Sequence, residues 1–166
     1  MRIRYVSEAV ALTLAPDGRA ALISITEPGR QAPLPSPHLW GALLRIQFAD
    51  AEYDADMLNR LAARGKPLNP EAKGFPCRSN AEAIREFLGQ LKGRQGVEEL
   101  VVHCHAGKRR SGAVAKFASE FYGIENSDTF EDHNRTVYAL LNQPSIFEGA
   151  DHSSWFSRLV RRLRNV

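Results

Sequence analysis

The chain has 166 residues, of which 43% are hydrophobic and 25% charged, and its 22 Lys and Arg residues exceed its 19 Asp and Glu residues by three. This length and composition predict one globular domain over residues 1–166 and exclude wholesale disorder. No apolar run is long enough to span a membrane, and a net charge of +3 gives no polycation signal for nucleic-acid binding.

The first part of the chain is predicted to alternate strands with turns. Residues 3–6 form a β-prone run, after which Ser7 can cap a helix that continues to Leu14. Residues 20–26 form a nearly continuous apolar strand, and a proline-rich loop follows over residues 28–37.

The middle of the chain is predicted to contain a third strand, two helices and a long loop. The strand alternates over residues 43–48, and a short helix follows over residues 51–63. Residues 65–78 are rich in Pro and Gly and form an irregular loop of the length expected of a lid or binding loop. Ser79 and Glu82 then predict a capping box at the start of the next helix, which ends near Gly93 and Gly96.

The last part of the chain begins with the clearest strand, residues 100–102, and continues with helices over residues 110–122, 129–142 and 153–164. The last of these helices is basic and amphipathic. We expect its apolar stripe to dock on the core, although such a helix also suits a membrane surface or nucleic acid. The alternation of strands and helices predicts an α/β sandwich with a central, mostly parallel sheet flanked by helices.

The segment between the clearest strand and the next helix carries the chemistry. It has the pattern Cys-x5-Arg-Ser, formed by Cys104, Arg110 and Ser111, with Gly107 at the third position after the cysteine. Backbone N–H groups that wrap into a helix N-terminus form an anion site that fits a phosphate. The same positive environment stabilises a thiolate, and the arginine can bind two phosphate oxygens.

This stretch, including His103, resembles the signature loop of the cysteine-dependent protein tyrosine phosphatases, specifically their small dual-specificity-like branch. The resemblance implies a phosphatase-like fold and hydrolysis of phosphomonoesters through a phosphocysteine intermediate, with no cofactor. In these terms Cys104 attacks phosphorus, Arg110 stabilises the transferred group, Ser111 assists departure of the thiolate, and His103 supports the loop. The implied substrate-binding residues are His105, Ala106, Gly107, Lys108 and Arg109.

The resemblance also implies a general acid on a loop that follows an upstream strand. Asp50 occupies that place, because it follows the predicted strand over residues 43–48. Asp54 and Asp56 lie about one helical turn further along the chain and remain alternatives. The distance of 54 residues between Asp50 and Cys104 is longer than is usual for small members of the family, and the loop over residues 65–78 accounts for the insertion.

The predicted partner is a phosphorylated substrate, most simply a phosphoprotein of the tyrosine or dual-specificity type. His105, Lys108 and Arg109 add positive charge beyond Arg110, and the spacing His-Cys-x-Ala-Gly-Lys-x-Arg also resembles the branch that acts on phosphoinositides and inositol polyphosphates. A more distant alternative is a sulfurtransferase that carries a persulfide, because Cys104 and Arg109 satisfy its Cys-x4-Arg spacing. A module that binds phosphate without catalysis would not need the cysteine.

The remaining residues predict neither a metal site nor a disulfide. His103, Cys104 and His105 are too close in sequence to ligate one metal together, and no second cluster completes a set. Cys77 and Cys104 are predicted to be free thiols in a reducing cytoplasm, although Cys77 could also act as a redox partner of Cys104. A signal peptide is not expected, since Glu8 interrupts the N-terminal apolar run. The oligomeric state is not predicted.

Overall fold

The computed structural model describes residues 1–125 and 130–148. Its strands are β1 (Arg2–Ser7), β2 (Ala20–Thr26), β3 (Ala42–Gln47) and β4 (Glu99–Cys104). Its helices are α1 (Glu8–Ala11), α2 (Ala55–Ala63), α3 (Arg78–Lys92), α4 (Arg109–Tyr122) and α5 (Arg135–Asn142), and Pro37–Leu39 form a 3₁₀ turn. The helix predicted over residues 153–164 lies outside the described residues.

The four strands form one parallel sheet in the order β1-β4-β2-β3. The central strands are the apolar ones: every residue of β2 is buried, as are five of the six residues of β4. Buried on both faces, such strands have the continuous hydrophobic sequence typical of parallel sheets. The prediction of an α/β fold with a mostly parallel central sheet is confirmed.

The alternating side chains of the sheet pack into two layers. On one face, residues such as Ile23 and Val102 pack with the apolar sides of α3, α4 and α5. On the other face, Leu22 and Val101 pack against α1 and the proline-rich loop, which contributes the buried residues Ala32 and Leu34. Trp40, which follows the 3₁₀ turn, packs in the same cluster. Because side chains one residue apart point to opposite faces of a strand, both layers draw on the same two central strands.

Two helices begin later than the sequence predicted, because a polar side chain caps each of them. The prediction that a helix starts at residue 51 is wrong: Asp54 is the N-cap of α2 and accepts a 2.7 Å hydrogen bond from the backbone N–H of Met57. The predicted start at residue 129 is also too early for α5, because Asn134 is its N-cap and accepts from the N–H of Val137. A capping residue has extended backbone geometry, so it fixes where the helix starts.

The predicted capping box of Ser79 and Glu82 is wrong. Helix α3 begins at Arg78, and its N-cap is Cys77, whose backbone N–H donates to Oδ1 of Asn80 at 3.1 Å. The cysteine thiol occupies the place of the usual hydroxyl, and Glu82 instead pairs with Arg78 at 2.6 Å. The end of the helix at Gly93 agrees with the prediction.

Helix α1 is shorter than predicted. The long loop that begins at residue 65 is irregular as predicted, up to the start of α3 at Arg78. Ser7 caps α1 through a 3.3 Å hydrogen bond from the N–H of Val10, but the helix ends at Ala11 rather than at Leu14. The backbone N–H and the hydroxyl of Thr13 both donate to the carbonyl of Val10, at 3.0 Å and 2.8 Å, whereas a continuing α-helix would bond that carbonyl to the N–H of Leu14. Within the described residues, no helix combines the length and apolar composition needed to cross a bilayer.

Candidate active site

The phosphate-loop candidate lies at the carboxyl edge of the sheet, between the end of β4 at Cys104 and the start of α4 at Arg109. Gly107 has a φ of +66°, and a Cβ at this position would lie 2.2 Å from the backbone nitrogen of Ser7. The loop is thus packed directly on the end of β1, and only glycine allows both the conformation and the approach. A hydrogen bond of 3.3 Å from the N–H of Glu8 to the carbonyl of His105 fixes the other side of the loop.

Cys104 is 2% exposed, and its Sγ lies 3.2 Å from the hydroxyl of Ser111 in the first turn of α4. The sulfur therefore sits at the N-terminal end of a 14-residue helix, where the helix dipole favours a negative charge. The structure brings together the cysteine predicted to be the nucleophile and the serine that the family resemblance implies would assist it.

Arg110 is 4% exposed and closes the loop at the carboxyl ends of two other strands. Its Nη1 donates to the backbone carbonyl of Phe48, just after β3, and to a carboxylate oxygen of Glu27, just after β2, each at 2.7 Å. Its Nε is buried and has no hydrogen-bond partner within the described part of the chain. The Nε–H donor is therefore not used by a hydrogen bond within the described part of the protein.

His103 is fully buried at the end of β4, and its Nε2 lies 2.8 Å from the hydroxyl of Ser24 on β2. Burial lowers the pKa of His103 to about 4, and the nearby carboxylate of Glu8 opposes this shift only in part. The imidazole is neutral at pH 7, and its hydrogen bond to Ser24 joins the end of β4 to β2.

Asp50 lies beside the loop, and its Oδ1 accepts hydrogen bonds from Nε of Arg109 at 3.3 Å and from Nδ2 of Asn134 at 2.8 Å. Arg109 also pairs with Glu52 at 2.9 Å. The charge of Arg109 is therefore balanced by acidic groups of the protein itself, although the sequence placed this arginine among the residues that bind substrate. Asp54 is occupied as the cap of α2.

The other predicted binding residues of the loop lie at its surface. His105, Ala106 and Lys108 are exposed, and Lys108 occupies the N-cap position of α4 without a side-chain capping bond. Their exposure allows contact with a molecule that approaches the loop, whereas Cys104, Arg110 and Ser111 are buried.

Three residues of the site were missed by the sequence analysis: Ser24, Glu27 and Asn134. Glu27 could have been found, because it directly follows β2, and the carboxyl ends of parallel strands meet at one edge of a sheet. Asn134 had a weaker signal, as an Asn preceding a helix that was predicted to begin earlier. Nothing in the local pattern marked Ser24, which lies within an apolar strand.

The long loop supports the segment that carries Asp50 and also borders a separate cavity. The carbonyl of Gly74 accepts a 2.8 Å hydrogen bond from the N–H of Ala49, next to Asp50. Residues 67–71 and Cys77 line a cavity of about 430 Å³ whose walls do not include Cys104. Both cysteines are free thiols, as predicted. Among the residues that the structure describes, no group of three or more His, Cys, Asp or Glu side chains is arranged to hold a metal.

Comparison with known proteins shows the family to which the chain belongs. The profile of the tyrosine phosphatase family matches residues 38–160, a range that includes the whole loop and Asp50. The chain belongs to the tyrosine phosphatase family, and this match confirms the resemblance drawn from the loop.

The chain is also similar in part of its sequence to one curated protein and in fold to one solved structure. The chain is 31% identical over 67 residues to ORC1-type DNA replication protein 6 of Halobacterium salinarum, a stretch that makes up 40% of this chain and 18% of that protein. The chain therefore matches less than a fifth of the length of this curated relative. It also aligns with the crystal structure of human tyrosine phosphatase-like serine/threonine/tyrosine-interacting protein, with 17% identity and a TM-score of 0.38, over 86% of this chain and 95% of that chain.

Proposed function

We propose that this protein hydrolyses phosphomonoesters through a phosphocysteine intermediate, with Cys104 as the nucleophile and Arg110 as the phosphate-binding side chain. The observation that carries the proposal is the buried Nε of Arg110, which has no partner among the described residues. A buried donor without a partner costs about 1–3 kcal/mol, and a phosphate oxygen would remove that cost. The reaction needs no metal and no cofactor.

In the first step, Sγ of Cys104 attacks phosphorus in line, so that an S–P bond forms as the bond to the leaving oxygen breaks. Asp50 gives its proton to that oxygen, which departs as an alcohol or phenol. Arg110 and the loop amides stabilise the negative charge on the equatorial oxygens of the transferred group. Asp50 is favoured over Asp54, because the carboxylate of Asp54 caps α2 and Asp50 contacts the start of α4 through Arg109.

In the second step, water attacks phosphorus and the P–S bond breaks. The carboxylate of Asp50 takes a proton from the water, while the hydroxyl of Ser111, at 3.2 Å, donates to the departing sulfur. Inorganic phosphate is released, and the Cys104 thiolate and the protonated Asp50 are restored. Neutral His103 holds the end of β4 through its bond to Ser24.

The substrate that fits best is a phosphoprotein carrying phosphotyrosine, with dual specificity for phosphoserine and phosphothreonine as the wider possibility. The inositol polyphosphate alternative needs loop cations that are free to meet additional phosphates. Asp50 and Glu52 balance the charge of Arg109. Among the described residues, Lys108 is then the one exposed cation of the loop that forms no salt bridge. This arrangement favours a substrate with a single phosphate at the site.

The sulfurtransferase alternative assigns the anion-binding role to Arg109 through the spacing Cys-x4-Arg. Arg109 is half-exposed and pairs with two carboxylates. Arg110 is buried and also pairs with Glu27, but its Nε has no partner among the described residues. The longer spacing of the phosphatase motif is therefore the one that the buried arginine supports. The cytoplasmic location stays a prediction, with which the two free thiols are compatible.

The proposal is tested by measuring hydrolysis of p-nitrophenyl phosphate in the presence of a metal chelator. We expect activity in the wild type, loss of turnover in Cys104→Ser, inhibition by vanadate, and a phosphate adduct on Cys104 after an acid quench, seen by mass spectrometry. Cys77→Ser is the matched control, because it makes the same change at the other free thiol. Retention of most turnover by Cys104→Ser, or an absolute need for a divalent cation, would overturn the proposal.

Substrate class is tested by comparing kcat/KM for a phosphotyrosine peptide and for an inositol polyphosphate, in the wild type and in Lys108→Ala. We expect the peptide to be preferred, and the lysine change to lower both values by a similar, small factor because Lys108 only attracts anions. Lys92→Ala, at the end of α3 that leads to the opposite edge of the sheet, is the control. A selective loss of tenfold or more on the inositol substrate would favour that alternative.

A further inference from the structure

The segment that carries Asp50 is held by the N-terminus of α5. Thr136 exchanges hydrogen bonds with the backbone of Tyr53, receiving one from its N–H at 2.8 Å and donating one to its carbonyl at 2.6 Å. The backbone N–H of Arg135 donates to the carboxylate of Glu52 at 2.9 Å. Residues 50–53 are thus fixed along their length to one end of a helix that does not itself contain a predicted catalytic residue.

Asn134 is the centre of this contact and is 0% exposed. Its Nδ2 donates to Oδ1 of Asp50 at 2.8 Å and to the carbonyl of Ala51 at 3.0 Å. Its Oδ1 accepts from the N–H of Val137, and its backbone N–H donates to the carbonyl of Arg109 at 3.0 Å. One buried residue therefore joins the acid, the first residue of α4 and the start of α5.

The direction of these bonds assigns a role to each oxygen of Asp50. The amide of Asn134 and the guanidinium of Arg109 are both N–H donors, and both approach Oδ1. An oxygen that accepts such bonds acts as the carbonyl oxygen of a protonated carboxyl group, so the proton is carried by Oδ2. The carboxyl group is also fixed in rotation, since two donors from different elements hold the same atom.

We propose that Asn134 is a positioning residue for the general acid: its side-chain amide orients Asp50 so that Oδ2 presents the proton to the leaving oxygen. The inference rests on the proposed function, because it takes Asp50 as the acid. The capping role of Asn134 alone does not explain the choice of residue. Ser, Thr or Asp caps a helix equally well through an acceptor, whereas the bonds to Asp50 and Ala51 need a side-chain N–H donor.

The test uses Asn134→Ser, which keeps a capping acceptor for Val137 and removes the amide donor. Loss of a correctly placed acid slows departure of a basic leaving group more than that of an acidic one. We expect kcat/KM, which reports only the first step, to fall about tenfold or more for phenyl phosphate and to change by less than threefold for p-nitrophenyl phosphate. Asn142→Ser, at an exposed Asn at the end of α5, is the control and should match the wild type.

A double-mutant comparison separates positioning from general destabilisation. If Asn134 acts through Asp50, Asn134→Ser should add no further loss in an Asp50→Asn background, whereas a structural defect would add its full factor. Thermal unfolding of each variant verifies folding. If Asn134→Ser does not fold, Asn134→Asp keeps the shape and the capping acceptor and replaces the donor, and the same loss on phenyl phosphate is expected.

The outcomes distinguish this inference from the proposed function. An equal loss on both aryl phosphates, or a full additional loss in the Asp50→Asn background, would refute the role of Asn134 and leave the phosphatase proposal intact. An inactive wild type, or an active Cys104→Ser variant, would instead remove the proposed function. An effect of Asp50→Asn on poor leaving groups that Asn134→Ser does not share would show that the acid is oriented by other contacts.

Discussion

The buried imidazole of His103 makes a specific prediction for stability as a function of pH. Its pKa lies at about 4 in the folded protein, while an exposed histidine in the unfolded chain has a pKa of about 6.5. As pH falls below 6.5, the unfolded chain takes up a proton that the folded protein refuses until about pH 4. The free energy of unfolding must therefore decrease over this interval, by up to about 1.4 kcal/mol per pH unit.

The size of the effect follows from the difference between the two values. A shift of about 2.5 pKa units corresponds to roughly 3 kcal/mol in full, and about 2 kcal/mol of it should be lost between pH 6.5 and pH 5. Since a domain is typically stable by about 5–15 kcal/mol, a loss of this size is readily measured. The contribution is fully present above pH 6.5.

Urea unfolding of the wild type and of His103→Gln between pH 7.5 and pH 4.5 isolates this contribution, because the variant lacks the titrating ring and keeps a side-chain amide that can reach Ser24. We expect the variant to be less stable at pH 7 and its disadvantage to shrink as pH falls. His38→Gln, at an exposed histidine, should run parallel to the wild type. Parallel curves for His103→Gln and the wild type would refute a neutral buried His103.

Three further predictions follow from the site and its supports. Asp50→Asn should lower kcat for substrates with poor leaving groups by roughly 10²- to 10⁴-fold, as measured by steady-state kinetics. Asp54→Ala should leave kcat unchanged and lower the free energy of unfolding by about 1 kcal/mol through loss of the α2 cap, as measured by urea unfolding. Gly107→Ala should abolish vanadate binding, measured by calorimetry, because its Cβ would overlap the backbone of β1. Arg30→Met should destabilise the protein at pH 7, because Arg30 hydrogen-bonds the buried Glu8 and lowers its pKa. The difference in the free energy of unfolding from the wild type should shrink below pH 4.5, where Glu8 of the unfolded chain is protonated.

The strands were predictable because their signal is local. The bounds of β2 agree with the prediction at both ends, since a fully buried strand between Arg19 and Glu27 has a continuous apolar sequence. The candidate phosphate loop was also predictable, because the residues from Cys104 to Ser111 occupy eight consecutive positions and each type has a chemical reason to be there. The strand order was not predicted, since it depends on which strands pair across long connections.

Helix starts were the least predictable part of the fold, because several side chains competed to cap each helix. At α3 the sequence offers Ser79 with Glu82, but the chain leaves the loop at Pro76 and the amide of Asn80 bonds to the backbone of Cys77. At α2 the carboxylate of Asp54 caps the helix, so the helix does not start earlier. Differences between caps amount to about 1 kcal/mol or less, so packing of the loop that precedes the helix decides among them.

The residues that orient the site were the hardest to foresee, and topology explains why. The four described strands are parallel, so residues at or just beyond their carboxyl ends meet at one edge: Ser7 at the end of β1, Glu27 after β2, Phe48 and Asp50 after β3, and the loop after Cys104. Once the strands are predicted, this rule alone would select Glu27 as a neighbour of Arg110. Asn134 follows no strand and reaches the same edge because α5 begins there, which only the packing of α5 on α3 and α4 determines.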